Sequence, residues 1–320
     1  MDVLDLIRNQ LAEINRISPE ISLDPIVTHI ERAEHLFNEG KRKGDEHFFT
    51  DVIYRTNQAF EGSLRTAYMI LADQTEEKAN KKRTVDIEDY IANNSIFHDR
   101  VLHHFTNYRQ EWRNKSTHDF KLFFSESEAF LAIGNVSAYT YLLINQIIEK
   151  LAYKVEQQKL AKQKKQKEKI RQVASDEKLD LKEKITAWIM LFLESTDKDF
   201  NTHLEIELIG MFEAFLDVVT DTIKVNREVK IENGSRPYRI DMLIEQGKEK
   251  VILEFKSPRM RYHKGYEQQI LSYMGFTGIK EGILWIPSTE REGVIVEDTT
   301  NNQIDGMYNL RTIKTKNNKR

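Results

Sequence analysis

Hydrophobic positions recur at three- and four-residue steps through the first half of the chain, then in short alternating runs through the second. Phe49, Val52, Ile53, Phe60, Leu64, Ala67 and Leu71 fall on one stripe of a helix. Phe97, Val101, Leu102, Phe105 and Trp112 predict another. Ser125 followed by Glu128 is a capping-box signature, opening a long helix through Phe130, Ile133, Ala138, Leu142 and Ile147. That helix runs on into KLAKQKKQKEKIRQ, where apolar residues thin out, so residues 152–178 read as an extension and linker.

Beyond it the pattern changes. A helix over residues 204–223 leads into the β-rich runs KVNREVKI, RPYRIDMLIE, KVILEFK and EGILWIP, with a helix over 266–277 between the last two and Gly278 as its stop. Helix, three strands, helix, strand predicts a helix-flanked mixed sheet, and the tail after Gly306 reads as polar and basic. The expected fold class is therefore α plus α/β. Its parts are an N-terminal helical extension (1–29), a helical bundle (30–151), a basic helical linker (152–199) and a sheet domain (200–320).

The 320 residues suffice for two cores. The longest apolar run, AWIMLFL at 187–193, is far short of the roughly 20 residues that span a bilayer. The start, MDVLDLIRNQ, has acids where a signal peptide has an apolar stretch, and cysteine is absent, so neither disulfides nor thiolate zinc sites are expected. These features predict a cytoplasmic protein that does not engage a membrane. A formal charge of −3 gives no global attraction to nucleic acid, so any nucleic-acid chemistry must use local patches. Residues 150–171 carry nine basic and two acidic side chains, and PRMRYHK (258–264) is a second basic cluster.

Candidate chemistry concentrates in YRIDMLIEQGKEKVILEFKSP. Gly247 supplies a turn between two strands, Glu254 and Lys256 project from the same side, and the neighbouring strand brings Asp241 alongside. Two adjacent carboxylates hold a hard cation such as Mg²⁺, and an ammonium beside them can orient a water. The competing reading is an exposed hairpin edge whose alternating charges resist aggregation.

Asp241, Glu254 and Lys256 resemble the PD-(D/E)xK nuclease superfamily, and Gln269 with Tyr273 matches the Q-x-x-x-Y helix of its RecB-like members; the resemblance covers about residues 200–290. It implies that Asp241 and Glu254 ligate Mg²⁺ or Mn²⁺, that Lys256 positions or activates the attacking water, and that Gln269 and Tyr273 support substrate. It further implies an acid from the preceding helix, for which Glu205 and Glu207 both qualify and Glu207 is preferred. Arg259, Arg261 and Lys264 would hold the phosphate backbone. The name-giving proline is missing, since RID stands in place of PD.

In the helical half, Arg113, Asn114 and His118 resemble the R-N-x-x-x-H motif of HEPN domains, with Asn57 and Glu61 as polar neighbours on an earlier helix. The resemblance implies a homodimer and a metal-independent ribonuclease site, in which Arg113 binds phosphate and His118 serves as acid or base. The competing reading makes both residues helix-end groups. His98, His103 and His104 read as surface or half-buried side chains, and Trp188, Leu191 and Phe192 as core. There is no glycine-rich phosphate loop and no G-x-S-x-G elbow.

The expected function is a metal-dependent nuclease acting on DNA or RNA, with a bacterial anti-phage (antiviral) defence or toxin-like role implied by the resemblance. One alternative is a HEPN ribonuclease whose C-terminal domain recognises substrate. The other is a non-catalytic, dimeric nucleic-acid-binding scaffold.

Overall fold

A computed structural model describes residues 3–114, 123–195, 203–233, 236–258, 262–287, 294–303 and 306–315. The chain divides into two compact units, Met1–Leu151 and Ala152–Arg320. Among the described residues there are eleven α-helices and one six-stranded mixed sheet.

The first unit contains α1 (Val3–Ile17), α2 (Asp24–Lys43), α3 (His47–Ile70), α4 (Glu76–Lys81), α5 (Thr84–Asn93), α6 (Asp99–Tyr108) and most of α7 (Glu126–Ala161). The stripe Phe49, Val52, Ile53, Phe60, Leu64 and Ala67 is buried along α3. Phe60 stacks on Phe105 and Tyr108 of α6 at 5.5 and 4.8 Å. Helix α7 opens with the expected capping box: the Ser125 backbone N–H donates to Glu128 at 2.8 Å, and the Glu128 N–H donates to Ser125 Oγ at 3.3 Å. Phe130, placed on its apolar stripe by spacing, is exposed, while Ala129, Ile133, Val136, Tyr139 and Leu143 are buried. Among the described residues α7 is also the one helix long and apolar enough to cross a membrane; 56% of its most apolar window is buried, as in a core helix. The supposed N-terminal extension is part of this bundle, since Leu4, Ile7, Leu11 and Ile14 of α1 are buried at helical spacing.

The second unit is a three-layer α/β arrangement. Its strands are β1 (Lys224–Asn233), β2 (Arg236–Gln246), β3 (Glu249–Phe255), β4 (Glu281–Trp285), β5 (Val294–Gln303) and β6 (Gly306–Thr315), in the order β1-β2-β3-β4-β6-β5. Strand β3 is parallel to β4, and β4 to β6; the other neighbours are antiparallel. On one face lie α8 (Lys164–Ser175), α9 (Leu181–Ser195) and α10 (Glu205–Leu216, extended by a 3₁₀ turn to Val219). On the other lies α11 (Lys264–Thr277), ended by Gly278 in the left-handed region at φ 70°.

Two expectations are corrected here. Described residues of 152–199 are not a linker: Ile170 and Ala174 of α8 and Ile185, Trp188, Ile189 and Phe192 of α9 are buried in the core beneath the sheet. The Trp188 indole N–H donates to the Ile170 carbonyl at 3.1 Å. The charge density of α8 masks a narrow buried stripe, which one face of a helix is sufficient to provide. The region after residue 306 is likewise no tail. Strand β6 lies between β4 and β5 and buries Tyr308, Leu310, Thr312 and Ile313.

Candidate active site

Strands β2 and β3 form a tight hairpin, Gln246 facing Glu249 across Gly247 and Lys248, with Gly247 at φ 58°. Ladder pairing between these strands runs up to Met242 and Leu253. Glu228 on β1 is left-handed at φ 47°, opposite Asp241, and pairing with β2 skips that position. Ile240 packs on the α11 side of the sheet and Met242 on the α10 side, so β2 turns over at Asp241.

Where the ladder stops, side chains take its place. The Asp241 N–H donates to Glu254 Oε1 at 3.1 Å, and the Phe255 N–H donates to Asp241 Oδ2 at 2.9 Å. Each carboxylate thus satisfies a backbone donor next to the other, as buried N–H groups require. Lys256 Nζ stands 3.4 Å from Glu254 Oε2, and its backbone N–H donates to the Trp285 carbonyl at 3.0 Å. Phe255 anchors the strand end on the opposite face, its ring 5.1 Å from Trp285 and 5.9 Å from Phe212. Alternation along β3 therefore presents Glu254 towards α11 while Phe255 locks the backbone into the core.

The two acids of α10 stand in different surroundings. Glu207 is buried, with Oε1 3.3 Å from His203 Nε2. Glu205 instead accepts the Ser257 backbone N–H and lies within electrostatic range of Asp241 and Lys256. Two residues on a helix are about 200° apart, so only one of this pair can face the site.

Electrostatics follow from this crowding. Burial, with the Asp241 charge added, pushes Glu254 well above the usual carboxylate range. Burial, again with Asp241 adding, raises Glu205 to about 7 against the pull of Lys256 and the Ser257 N–H. For Lys256 burial acts downward, but Glu254, Asp241 and Glu205 outweigh it and hold the ammonium above its ordinary value.

Three carboxylates around one ammonium leave unbalanced negative charge in a buried place, which suits a hard cation with oxygen ligands. Among the described residues no group of three or more His, Cys, Asp or Glu could hold a metal ion as it stands. Mg²⁺ fits this donor set on the usual terms for that ion, one or two carboxylates with waters and substrate oxygens completing the shell.

Helix α11 brings the other expected pair to the same place. Gln269 Nε2 donates to the Tyr273 hydroxyl at 2.6 Å, and Tyr273 lies within the field of Glu254, Lys256 and Asp241. Burial raises the Tyr273 phenol, so it stays protonated. Lys264, the first residue of α11, is exposed. Arg259 and Arg261 lie outside the described residues.

The HEPN-like motif is only partly described. Arg113 closes a π-helical turn, Arg109–Arg113, continuing α6, and its Nη1 donates to Asn114 Oδ1 at 3.2 Å. Its Nε is 3.5 Å from Glu88 Oε1, and Arg109 Nη1 is 3.8 Å from Glu88 Oε2. Glu88 is 2% exposed; burial raises its carboxyl while Arg113 and Arg109 oppose that rise. Asn57 accepts the Tyr108 hydroxyl at 2.9 Å, and the Glu61 charge reaches Glu88. His118 lies outside the described residues.

Two features were not read from the sequence. One is Glu88, an acid at a helical core position whose only signal was its spacing from Ile87 and Ile91. The other is a group of rings beside the carboxylates: Tyr266, whose ring centroid is 5.6 Å from Lys256 Nζ, Tyr238 5.9 Å from Tyr273, and Phe276 5.2 Å from Tyr238. Compared with family models, with curated proteins and with solved structures, the chain matches none.

Proposed function

We propose that the second unit is a divalent-metal-dependent nuclease of the PD-(D/E)xK type. The observation that carries this reading is the convergence of Asp241, Glu254, Glu205 and Lys256 where β2 and β3 part, on a strand interior to the sheet. In this reading Asp241 and Glu254 hold Mg²⁺ or Mn²⁺. When bound, the ion acidifies a water and neutralises charge developing on the phosphate.

Lys256 would orient the attacking water by donating to it, its ammonium held protonated by the surrounding carboxylates. Glu205, with an acidity near neutrality, takes up the proton the water loses. Tyr273 accepts a hydrogen bond from Gln269, which leaves its own O–H to donate to a non-bridging phosphate oxygen. Arg259, Arg261 and Lys264 sit in the sequence beside this cluster and serve as backbone contacts.

The helical unit is assigned a HEPN-like dimerising role, not the chemistry. Supporting this choice, the Arg113 guanidinium already faces the buried Glu88 carboxylate, which offsets the charge a phosphate would need. A role in antiviral defence rests on the family resemblance alone.

The test is to incubate the full chain with labelled DNA and RNA in Mg²⁺ or in EDTA, alongside Lys256→Met and His118→Ala. Cleavage that needs Mg²⁺ and Lys256 supports the reading. RNA cutting that survives EDTA and disappears with His118→Ala overturns it in favour of the HEPN ribonuclease. Nucleic-acid binding with no cleavage under any metal favours the scaffold.

A further inference from the structure

The basic run at 162–171, KQKKQKEKIR, leaves most of its charge outside both the core and the carboxylate cluster. It carries six cations and one acid, a net +5 in a chain whose formal charge is −3. Cations on either side of it are paired, Lys159 with Glu156 at 3.1 Å and Lys182 with Glu281 at 2.6 Å. A comparable run in the helical unit is paired throughout: Lys41 reaches Glu126 at 3.0 Å, and Arg42 and Lys43 reach Glu39 at 2.6 and 3.2 Å. Among the described residues no ion pair engages Lys162, Lys164, Lys165, Lys167, Lys169 or Arg171. Glu168, exposed in their midst, pairs with none of them.

Helix α8 is held with this charge outward. Ile170 and Ala174 are buried beneath the sheet, and Gln166 Nε2 donates to the Leu191 carbonyl of α9 at 3.1 Å. At 100° per residue these three share one side of the helix. Lys164, Lys167 and Arg171 then fall within a sector of about 60° along one outer flank, and Lys165 and Lys169 lie along the other. All five are exposed except Lys167, which is half-buried. Lys165 with Lys169, and Lys167 with Arg171, are like charges one turn apart, which destabilise a helix. Solubility alone asks only for mixed charge, whereas a bound polyanion relieves the repulsion.

We propose that α8 and the turn before it bind the phosphate backbone of double-stranded nucleic acid, anchoring substrate away from the carboxylates. The proposal takes from the nuclease reading that the polyanion is nucleic acid. Helix α8 packs on the 3₁₀ turn Asp217–Val219, and α10 rises about 18 Å from that turn back to Glu205. A duplex longer than roughly six base pairs, at ~3.4 Å each, spans that distance. Phosphate contacts of this kind read no sequence. Duplex, with one charge per ~1.7 Å, is the strongest nucleic-acid partner for a surface that offers charge alone.

The test measures binding of the full chain to labelled duplex in EDTA, by anisotropy, between about 50 and 200 mM salt. Wild type is compared with the triple variant Lys164→Gln, Lys167→Gln, Arg171→Gln. The control triple, Lys41→Gln, Arg42→Gln, Lys43→Gln, removes the same charge from paired cations. Three lost phosphate contacts should weaken duplex binding by about 10²-fold at ~0.1 M salt. They should also make the fall of log K with log salt shallower by about 2–3, while the control stays within about threefold of wild type. Glutamine keeps helix propensity, so thermal unfolding should not drop. If the α8 triple folds poorly, Lys165→Gln with Lys169→Gln on the other flank should make the slope shallower by about 2.

Unchanged affinity and salt slope in the α8 variants overturns the anchor. So does an equal loss in the control, which would make net charge the whole effect. Binding to phosphatidylserine vesicles that the α8 triple abolishes, with duplex binding unmoved, assigns the run to a lipid surface and overturns it too. In Mg²⁺ the α8 triple should raise KM for duplex cleavage and leave kcat unchanged, as loss of uniform binding does. Duplex binding that needs α8, without cleavage in any metal, would sink the nuclease reading and spare the anchor. Cleavage whose KM ignores α8 would do the reverse.

Discussion

Replacing Glu205 by glutamine gives the sharpest test of the site's electrostatics. In the fold its carboxyl is raised from 4.5 to about 7. An acid raised on folding stabilises fully below its unfolded value and loses that contribution as pH climbs through the folded one. For this shift the loss between pH 5 and 8 is about 2–3 kcal/mol, at ~1.4 kcal/mol per pKa unit. Glutamine keeps a carbonyl for the Ser257 N–H and cannot ionise, so Glu205→Gln escapes the loss. Glu254 is raised too, but it is present in both proteins and cancels in the difference. For a unit of this size 1 kcal/mol is worth about 2–4 °C, so the variant should overtake wild type by roughly 5–10 °C in Tm between pH 5 and 8. The assay is differential scanning fluorimetry in EDTA across that range. Parallel Tm–pH curves would refute the argument, because folding could then not raise the Glu205 carboxyl. Added Mg²⁺ should raise the Tm of wild type more than that of the variant at pH 8, as expected if the ion relieves the same crowding.

Lys256→Met should reduce Mg²⁺-dependent cleavage by about 10²-fold or more while leaving oligonucleotide binding within a few-fold, measured by gel assay and anisotropy. In the helical unit, Glu88→Ala leaves the inward-facing Arg113 and Arg109 without their carboxylate and should cost about 2–4 kcal/mol in urea unfolding. Arg113→Ala should leave Mg²⁺-dependent cleavage unchanged; a matching loss would return the chemistry to the helical unit. A Cβ at Gly282 would meet Met274 Sδ at 2.7 Å and Ile270 Cδ1 at 3.3 Å, both on α11. Gly282→Ala should therefore cost only about 1 kcal/mol, since methionine can yield, yet lower turnover more by shifting the helix that carries Gln269 and Tyr273.

What could be read from the sequence depended on how local its cause was. Gly247 between two β-branched runs made the hairpin visible, and two-residue alternation aligned Glu254 with Lys256. Ser125 and Glu128 announced α7, and Gly278 the end of α11. Glu205 and Glu207 could not be separated, because the facing of a helix is set by its partner: here Leu208, Phe212 and Phe215 seat α10 on the sheet and turn Glu207 to His203. Strand β6 escaped because GMYNLRTIKT interleaves polar residues with its buried ones, and its parallel neighbour β4 lies more than twenty residues earlier, beyond any hairpin signal. The stripe of α8 was hidden by lysines whose charged ends stay in water while Ile170 and Ala174 face inward. The contact of Tyr238 with Phe276 needed β2 and α11 to be brought together, which neither segment announces alone.

The sequence offered a rival account of Asp241, Glu254 and Lys256, namely charges decorating an exposed sheet edge. That account fails on position. Strand β3 lies between β2 and β4, and Glu254 is 2% exposed, where a solubilising charge has no water to meet. A subtler structural role remains available to the pair, since each carboxylate caps a backbone N–H at the point where the strands part. Capping calls for two acceptors and neutral side chains would serve, so it leaves Glu205 and Lys256 without a reason to be there. It also makes the crowding costly, because each further buried carboxylate must either hold a proton near neutral pH or find a cation. Asparagine and glutamine at 241 and 254 would cap the same donors without that cost. Asp241→Asn and Glu254→Gln should then stabilise the metal-free unit at pH 8 while abolishing cleavage, the stability–activity trade-off of a strained site. If both variants lose stability and activity together, capping by charged groups is the whole role of the pair, and the nuclease reading loses its main support.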